Sequence, residues 1–171
     1  MPRSRVPSLI SKEIHRQKTT LGMIPSENHV SKQVLSASGT VFTNKYSEGY
    51  PGKRYYGGNG VVDELERYTQ ELANKLFGTV HANVQPYSGS LANLAVDLAL
   101  TKPGESIMGL KLTDGGHLTH GAPVSATGIF FEAHAYGVKP DGRVDFERLA
   151  TLAREARPKI IWCGTTAYPF I

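Results

Sequence analysis

Residues 83–110 read NVQPYSGSLANLAVDLALTKPGESIMGL, and this stretch decides the fold class. It begins with a short strand candidate at residues 83–85. An Ala- and Leu-rich helix is predicted over residues 90–100 and is ended by Pro103 and the glycine after it. A second strand candidate follows at residues 106–110. This order predicts a strand–helix–strand unit.

The same alternation continues towards the C-terminal side. Residues 128–133 are a strand candidate, and Asp145 is placed to cap a helix of about ten residues that ends before Pro158. Residues 159–163, KIIWC, are an apolar run typical of a buried strand. Strands that alternate with helices predict an α/β fold with a mainly parallel sheet.

Upstream of this region the pattern changes. A short helix is predicted over residues 8–18, and a longer one begins near residue 61 and ends at a Gly78 C-cap. Between them, residues 22–60 are rich in Gly, Pro, Ser, Asn and Tyr and show no lasting helical or strand period. A long irregular stretch is usually functional or disordered, and the tyrosines in it argue against disorder. The apolar positions of the longer helix are Val61, Leu65, Tyr68, Leu72 and Leu76.

Composition excludes several classes of function. The net charge is +4, but the 19 lysines and arginines are scattered, without the basic patch typical of nucleic-acid binding. No apolar run is long enough for a transmembrane helix, and the first residues lack the apolar stretch of a secretory signal. The single cysteine, Cys163, is expected to be a small buried hydrophobe. A lone thiol favours a reducing setting, so we expect a cytoplasmic protein. From the scattered charge and the absence of a long apolar run, we expect no nucleic-acid or membrane partner.

Residues 88–90, Ser-Gly-Ser, follow the strand candidate and precede the helix. Backbone N–H groups of a first helical turn point outward, and the helix dipole favours an anion there. The motif therefore fits a phosphate cradle. A serine N-cap without any ligand would produce the same pattern, and the motif alone does not exclude it.

Residues 115–121, GGHLTHG, contain a pair of histidines three positions apart. Three interpretations remain open for His117 and His120. Structural histidines are favoured, stacking of an imidazole on an aromatic cofactor comes second, and metal binding comes last because no third ligand follows at a suitable spacing.

Residues 44–58 form a turning loop that combines tyrosines, one carboxylate, three cations and several glycines. Such a loop suits a site that needs hydrogen-bond donors and an acid/base carboxylate. It equally suits a subunit contact in which tyrosines are the anchors. Both interpretations hold if the site lies at an interface.

These motifs resemble those of serine hydroxymethyltransferases. Residues 43–58, TNKYSEGYPGKRYYGG, are similar to the signature loop of that family, and residues 24–28, IPSEN, to its Ser-Glu-Asn motif. Residues 82–86, 88–90 and 115–121 agree in order and spacing as well. The resemblance covers nearly the whole chain. It is a resemblance to the N-terminal portion of family members.

The resemblance implies a fold and a reaction. It implies an incomplete large domain of the pyridoxal-phosphate-dependent transferase fold type I, which is aminotransferase-like, at residues 61–171. An N-terminal arm and an active-site or interface loop would occupy residues 1–60. The reaction would interconvert serine plus tetrahydrofolate with glycine plus 5,10-methylenetetrahydrofolate, with pyridoxal 5′-phosphate as cofactor. The partners would be these small molecules and either a second copy in a homodimer or a complementing C-terminal half.

The resemblance also implies roles for residues near the cofactor. Ser88, Gly89 and Ser90 would bind its phosphate, which agrees with the position at a helix N-terminus. His117 would stack on the pyridine ring as a catalytic and cofactor-binding residue. Thr166 stands where the family usually has a serine near the ring oxygen.

A second set of implied roles concerns the substrates. Ser26 would help hold the substrate carboxylate, and Glu48 would be the acid/base group at the substrate hydroxyl. Tyr46 and Tyr56 would reach into the neighbouring subunit's site, the first towards cofactor phosphate and the second towards substrate, where it would be catalytic. Leu118 would border the folate pocket. No metal is implied.

The sequence departs from the family pattern at several positions. Tyr87 and Leu91 replace the usual histidine and glutamine, and Asp114 stands where histidine is usual. Asn59 replaces a common cysteine and Ala122 a common serine. These departures indicate a divergent member, and Leu91 removes a polar group near the cofactor.

None of the ten lysines lies in a Thr-Thr-His-Lys context like that of the family's cofactor-binding lysine. The aspartate for the pyridinium nitrogen and the arginine for the substrate carboxylate also belong to the later part of family members. We therefore expect this chain alone to be inactive. The alternative is a non-catalytic fragment or pseudoenzyme that dimerises with or regulates a full-length homologue.

Overall fold

A computed structural model of the chain describes residues 4–170. The chain divides into two compact units: residues 29–99, here called the hairpin unit, and residues 4–28 with 100–170, here called the sheet unit. The helices are α1 (Val6–Thr19), α2 (Lys32–Ser38), α3 (Gly60–Phe77), α4 (Gly89–Leu100), α5 (Ala126–Phe130) and α6 (Phe146–Ala156). The strands are β1 (Gly49–Tyr50), β2 (Lys53–Arg54), β3 (Ser106–Leu110), β4 (Glu132–Tyr136) and β5 (Ile160–Ile161).

The sheet unit is built on a parallel sheet of order β4-β3-β5. Strand β3 pairs with β4 over its full length, from Ser106 opposite Glu132 to Leu110 opposite Tyr136. It pairs with β5 at two positions, Ile107 opposite Ile160 and Met108 opposite Ile161. The prediction of an α/β fold with a mainly parallel sheet is confirmed.

Strand β3 is the centre of the core because four of its five residues are buried. Met108 and Leu110 pack with Tyr136, whose hydroxyl donates to the carbonyl of Trp162 at 2.9 Å. Burial raises the pKa of Tyr136, with a smaller contribution from Cys163. The partly buried residues packed against this cluster are Val138, Val144, Leu149, Leu152, Ala153, Ala156 and Tyr168.

Helix α6 supplies much of that cover, and its boundaries agree with the sequence prediction. The Asp145 side chain accepts from the backbone N–H of Arg148 at 3.0 Å, which caps the first turn. The helix ends before Pro158, at Arg157 in the left-handed region with φ 45°. Its apolar positions recur at helical spacing, so one face of α6 lies on the sheet.

The hairpin unit contains an antiparallel pair, β1 and β2, and the long helix α3. Tyr50 pairs with Lys53 across a turn whose central residues are Pro51 and Gly52. Gly52 has φ 78°, the conformation that the third position of a type II turn requires. Helix α3 ends at Gly78 with φ 65°, which confirms the predicted C-cap.

Two strand predictions are wrong. Residues 83–85 are not in a strand, because Asn83 accepts from the backbone N–H of Gln85 through its side chain and Pro86 has no N–H to offer a ladder. Residues 128–133 are divided between two elements. Ser125 caps α5 by accepting from the N–H of Gly128, so strand β4 begins only at Glu132.

Other expectations hold in part. The helix predicted over residues 8–18 is confirmed as α1, and that over residues 90–100 as α4. The stretch 22–60 is mostly irregular but contains α2, a 3-10 turn at Val41–Asn44 and the hairpin, which the sequence analysis missed. Only Ile160–Ile161 of the predicted strand over 159–163 is a strand.

Cys163 is exposed, so the expectation of a buried thiol is wrong. It follows the short edge strand β5, where residues alternate between half-buried and exposed, and its side chain faces outward. Among the described residues, no helix has the length and apolar character needed to cross a membrane.

Candidate functional site

The candidate residues from the sequence analysis fall into two groups, one in each unit, and each group is described by itself. The hairpin unit holds Tyr46, Glu48, Tyr56, Ser88, Gly89 and Ser90. The sheet unit holds Ser26, His117, Leu118 and Thr166.

Residues 88–90 form an open helix N-terminus. The Ser88 side chain accepts from the N–H of Leu91 at 3.4 Å, and its carbonyl accepts from Ala92 at 3.0 Å. Within the described chain, no hydrogen bond is assigned to the N–H groups of Gly89 and Ser90, and both residues are exposed. A Cβ placed on Gly89 would meet no atom within 4 Å. The open space and the free donors fit a phosphate group.

The hairpin beside this helix lines a cavity of about 670 Å³. Tyr46 and Glu48 both line it, and so does Tyr87, one of the departures from the family pattern. The rings of Tyr46 and Tyr56 lie 5.7 Å apart at 48°, and both phenols are exposed. Glu48 is exposed, so its carboxylate is accessible to a small molecule in the cavity.

Arg54 is the centre of a charged cluster under this hairpin, and its side chain is only 5% exposed. Its Nε donates to Asp63 at 2.8 Å and its Nη2 to Glu66 at 2.6 Å. Its Nη1 donates to the carbonyls of Ser47 at 2.6 Å and Gly49 at 2.8 Å. One guanidinium therefore joins helix α3 to the backbone on both sides of Glu48.

The charges in this cluster stabilise each other. The hydrogen bond from Arg54 lowers the pKa of Asp63, and the N–H of Gly52, at 2.7 Å, lowers it further. Glu66 and then Asp63 raise the pKa of Arg54. The sequence analysis missed this cluster; its signal was the pair of carboxylates three apart on one side of α3, close to an arginine in the preceding turn.

Gln85 adds a further link from the segment that leads to residues 88–90. Its side-chain amide donates to the carbonyl of Gly49 at 2.9 Å and to Glu66 at 2.8 Å. The Arg54 guanidinium and the two carboxylates that it binds thus all have hydrogen-bond partners, as buried polar groups need to have. The backbone around Glu48 is therefore held by Arg54 and by Gln85.

The loop over residues 115–121 positions His117 in the sheet unit. The N–H of Thr119 donates to Nδ1 of His117 at 3.2 Å, and the Thr119 hydroxyl lies 2.7 Å from the same nitrogen. Because a backbone N–H only donates, Nδ1 is the acceptor and the proton of the neutral ring is on Nε2. The ring is half-buried and its orientation is fixed at one edge.

Thr166 lies beside the start of the same loop. Its N–H donates to the carbonyl of Gly115 at 2.9 Å, and the N–H of Ala167 donates to that carbonyl at 3.2 Å. The structure therefore brings two residues with predicted cofactor roles, His117 and Thr166, to one cluster of loops. Leu118 is 47% exposed next to them.

His120 has a structural environment. Its ring stacks on Trp162 with centroids 5.1 Å apart and planes 3° apart, and it lies 5.3 Å from the ring of His117. Burial lowers the pKa of His120, and the neighbouring His117 lowers it further. For His120 the structural interpretation holds. Within the described residues no group of three or more potential metal ligands is found.

The remaining candidates have simpler surroundings. Ser26 is exposed in a turn closed by the N–H of Glu27 and the carbonyl of Ile24 at 3.1 Å. Asp114 accepts from the N–H of Val138 at 3.2 Å, and Asn59 donates to the carbonyl of Tyr56 at 2.8 Å. These two departures from the family pattern thus have local structural roles.

A parallel α/β sheet together with an open, serine-capped helix N-terminus is typical of proteins that bind phosphorylated ligands. Comparison with known sequences then identifies the family. A family model described as "Serine hydroxymethyltransferase" matches residues 3–171. The chain belongs to the serine hydroxymethyltransferase family and is similar to its N-terminal portion.

Curated relatives agree with this assignment. The chain is 57% identical over 167 residues to "Serine hydroxymethyltransferase" of Acidothermus cellulolyticus, covering 97% of this chain and 39% of that protein. It is 53% identical over 163 residues to the protein of the same name from Metamycoplasma arthritidis, covering 95% and 39%. It is 55% identical over 164 residues to that of a Synechococcus species, covering 95% and 38%. The chain spans about two fifths of the length of these relatives.

Proposed function

We propose that these residues form the N-terminal part of a pyridoxal-phosphate-dependent enzyme of fold type I. The reaction is the interconversion of serine plus tetrahydrofolate with glycine plus 5,10-methylenetetrahydrofolate. Membership of the family implies this chemistry. The observation that carries the proposal for this chain is the N-terminus of α4, where Gly89 and Ser90 present free N–H groups to open space.

The phosphate of the cofactor is bound by residues 88–90. Two backbone N–H groups and two serine hydroxyls donate to its oxygens, and the dipole of α4 favours the negative charge. His117 stacks on the ring with an orientation fixed by Thr119. Thr166 offers a hydroxyl to the ring oxygen. When bound, pyridoxal phosphate supplies the electron-withdrawing ring that stabilises negative charge at the substrate α-carbon.

Glu48 moves the proton at the hydroxyl of serine. Its accessible carboxylate in the cavity supports that role. Ser26 binds the substrate carboxylate, and Leu118 contributes an apolar surface to folate. Tyr46 and Tyr56 act in the site of a second subunit of a homodimer, the first towards cofactor phosphate and the second towards substrate. Their exposed phenols support that role.

The covalent step needs a lysine that these 171 residues do not provide in the family's sequence context. An aspartate and an arginine are needed with it, and the C-terminal part of the relatives supplies all three. These residues expressed alone therefore bind phosphate without turning over serine. A reducing compartment such as the cytoplasm suits the exposed thiol of Cys163.

A chimaera tests this proposal. The chain is joined to the C-terminal part of the Acidothermus cellulolyticus relative, and glycine formation from serine and tetrahydrofolate is measured together with the visible absorbance of bound cofactor. The chimaera is expected to be active and the chain alone inactive. In parallel, titration calorimetry with pyridoxal phosphate and with inorganic phosphate measures binding to the chain alone.

Glu48→Gln in the chimaera separates binding from proton transfer. The variant keeps the shape of the side chain, so cofactor absorbance should be retained while the rate with serine falls about 100-fold or more. A chimaera that binds the cofactor but forms no glycine would contradict the proposal and favour the non-catalytic alternative. Serine turnover by the chain alone would contradict the need for the missing lysine.

A further inference from the structure

We propose that Arg54 is a positioning residue for Glu48: it holds the peptide groups on both sides of that carboxylate. The inference rests on the proposed function, which makes Glu48 the acid/base group. It goes further because it assigns the geometry of the loop to a particular side chain, one that is only 5% exposed and is hydrogen-bonded to the protein through all three guanidinium nitrogens.

The contacts define a clamp around one residue. Nη1 of Arg54 donates to the carbonyl of Ser47 and to that of Gly49, at 2.6 and 2.8 Å. The carbonyl of Glu48 itself accepts from the N–H of Tyr55 at 3.2 Å. Three consecutive carbonyls are therefore fixed, and the direction of the Glu48 side chain into the cavity follows from them.

The Arg54 guanidinium is rigid because its other nitrogens are held by hydrogen bonds. Asp63 and Glu66, on α3, hold the other two guanidinium nitrogens at 2.8 and 2.6 Å. Gln85 donates both to Glu66 and to the carbonyl of Gly49. These three partners are far from Glu48 along the chain, so contacts with helix α3 and with Gln85 hold the loop in addition to its own turn.

Only arginine satisfies all of these acceptors. The guanidinium is planar and presents its donors in a fixed fork, whereas a lysine ammonium is a point charge with rotatable donors. Arg54→Lys would keep a positive charge next to Asp63 and Glu66 but could not also bind both carbonyls. This difference separates a positioning role from simple charge neutralisation.

The chain offers a matched control in Arg67. Its guanidinium also faces Asp63, at 3.9 Å, but it is 53% exposed and no contact with the hairpin carbonyls is assigned to it among the described residues. Arg67→Lys changes the same chemical group beside the same carboxylate. It should leave the loop and the reaction unchanged.

The first measurement is hydrogen–deuterium exchange, which needs no activity. In the chain and in the chimaera, Arg54→Lys is expected to speed exchange at the amide of Tyr55 about ten-fold or more, because the bond to Glu48 opens more often. Arg67→Lys is expected to exchange like the unmodified protein. Equal exchange in Arg54→Lys and the unmodified protein would overturn the proposal.

The second measurement is the kinetics of the chimaera. Arg54→Lys should lower kcat about 10- to 100-fold while KM for serine changes little, because a misplaced acid/base group affects the chemical step. An unchanged kcat in Arg54→Lys would show that only the positive charge matters, and it would overturn the proposal. If Arg54→Lys does not fold, Glu66→Gln decides: it removes one anchor, and unchanged Tyr55 exchange in it would overturn the proposal.

The two proposals fail in different ways. If Glu48→Gln turns over serine normally, the assignment of the acid/base group is wrong, whatever the exchange data show. If Glu48→Gln is slow but Arg54→Lys exchanges and reacts normally, the proposed function stands and the positioning role is wrong.

Discussion

Two loops carry the candidate chemistry, and different forces hold them. The hairpin around Glu48 is fixed by a buried guanidinium and its carboxylate partners. The loop around His117 is fixed by backbone contact with β3 and β4 and by the stack of His120 on Trp162. The first loop depends on charge and hydrogen bonding, and the second on close packing.

This difference determines how each loop fails. A charged cluster is sensitive to the protonation of its members, because a buried polar group that loses its partner is costly. A closely packed loop has no room for an extra atom, since protein interiors are packed as densely as organic crystals. Acid should therefore loosen the two loops at different pH values, and an added methyl group at Gly116 should disrupt the second.

The largest effect is expected from Gly116→Ala. A Cβ on Gly116 would collide with the backbone carbonyl of Leu110, and backbone atoms of β3 cannot move aside as a flexible side chain would. We expect a loss of about 3 kcal/mol or more in the free energy of unfolding of the sheet unit. Urea denaturation, followed by the fluorescence of Trp162, measures it.

Gly60→Ala is the control for this substitution. Gly60 begins α3, and a Cβ there meets no atom within 4 Å. Alanine in a helix is favoured over glycine by about 0.5–1 kcal/mol, so this variant should be as stable as the unmodified chain or slightly more so. Equal destabilisation by both substitutions would show that the packing of the His117 loop is not the cause.

The next effect concerns the charged cluster. The folded-state pKa of Asp63 lies below its ordinary value of 3.8, so its contribution to stability is fully present above that value. It is lost as the pH falls through the lower, folded-state pKa, because the unfolded state then binds more protons. Asp63→Asn should therefore destabilise the hairpin unit at pH 7, and the difference from the unmodified chain should shrink below pH 3.8.

Exchange of the Tyr55 amide at several pH values checks this prediction without turnover. Asp141 is a useful control carboxylate because the backbone N–H of Arg143 lowers its pKa too, yet it lies in the sheet unit. Asp141→Asn should leave Tyr55 exchange unchanged at every pH. A constant difference between Asp63→Asn and the unmodified chain down to low pH would contradict the assigned direction of the shift.

A smaller effect is expected from His120 in the other loop. Its pKa is lowered from 6.5, so the neutral ring is favoured in the folded state. Stability is then fully present above pH 6.5 and decreases as the pH falls through the folded-state pKa. Its buried Nδ1 has no hydrogen-bond partner in the described structure, so a proton there would be poorly solvated.

His120→Phe should remove this pH dependence while the stack on Trp162 is kept. Relative to the intrinsic rate of free amides at each pH, amide exchange over residues 116–122 should rise in the unmodified chain from pH 7 to pH 5, with the hairpin unchanged, and should stay level in the variant. If the hairpin loosens in the same pH range as the His117 loop, the contrast between the two regions is wrong.

The sequence predicted the elements whose signals are local. Each of these signals involves residues only a few positions apart. They are the helical spacing in α3 and α6, the caps at Gly78 and Asp145, and the apolar run of β3. The run from Gly128 to Phe131 misled the prediction because its apolar residues resemble a strand. The cap at Ser125, a few positions earlier, starts a helix there instead.

The site was predicted less completely, for a physical reason. The motifs around Glu48 and His117 were found because their residue types are unusual. The carboxylate partners of Arg54 lie nine and twelve positions away along the chain, and Gln85 reaches Gly49 across 36 positions. Such contacts exist only once the chain is folded, so spacing alone does not predict them.

The smallest effect on stability, and the sharpest test of the phosphate cradle, comes from a pair of serine caps in the hairpin unit. Ser88 accepts from Leu91 at 3.4 Å and Ser31 accepts from Val34 at 3.3 Å, so both are weak caps of similar geometry. Ser88→Ala and Ser31→Ala should each lower the free energy of unfolding by only about 0.5 kcal/mol. Only Ser88→Ala should weaken binding of pyridoxal phosphate, because only that hydroxyl lies at the open end of α4. Equal affinities in the two variants, measured by calorimetry, would mean that Ser88 is a cap and nothing more.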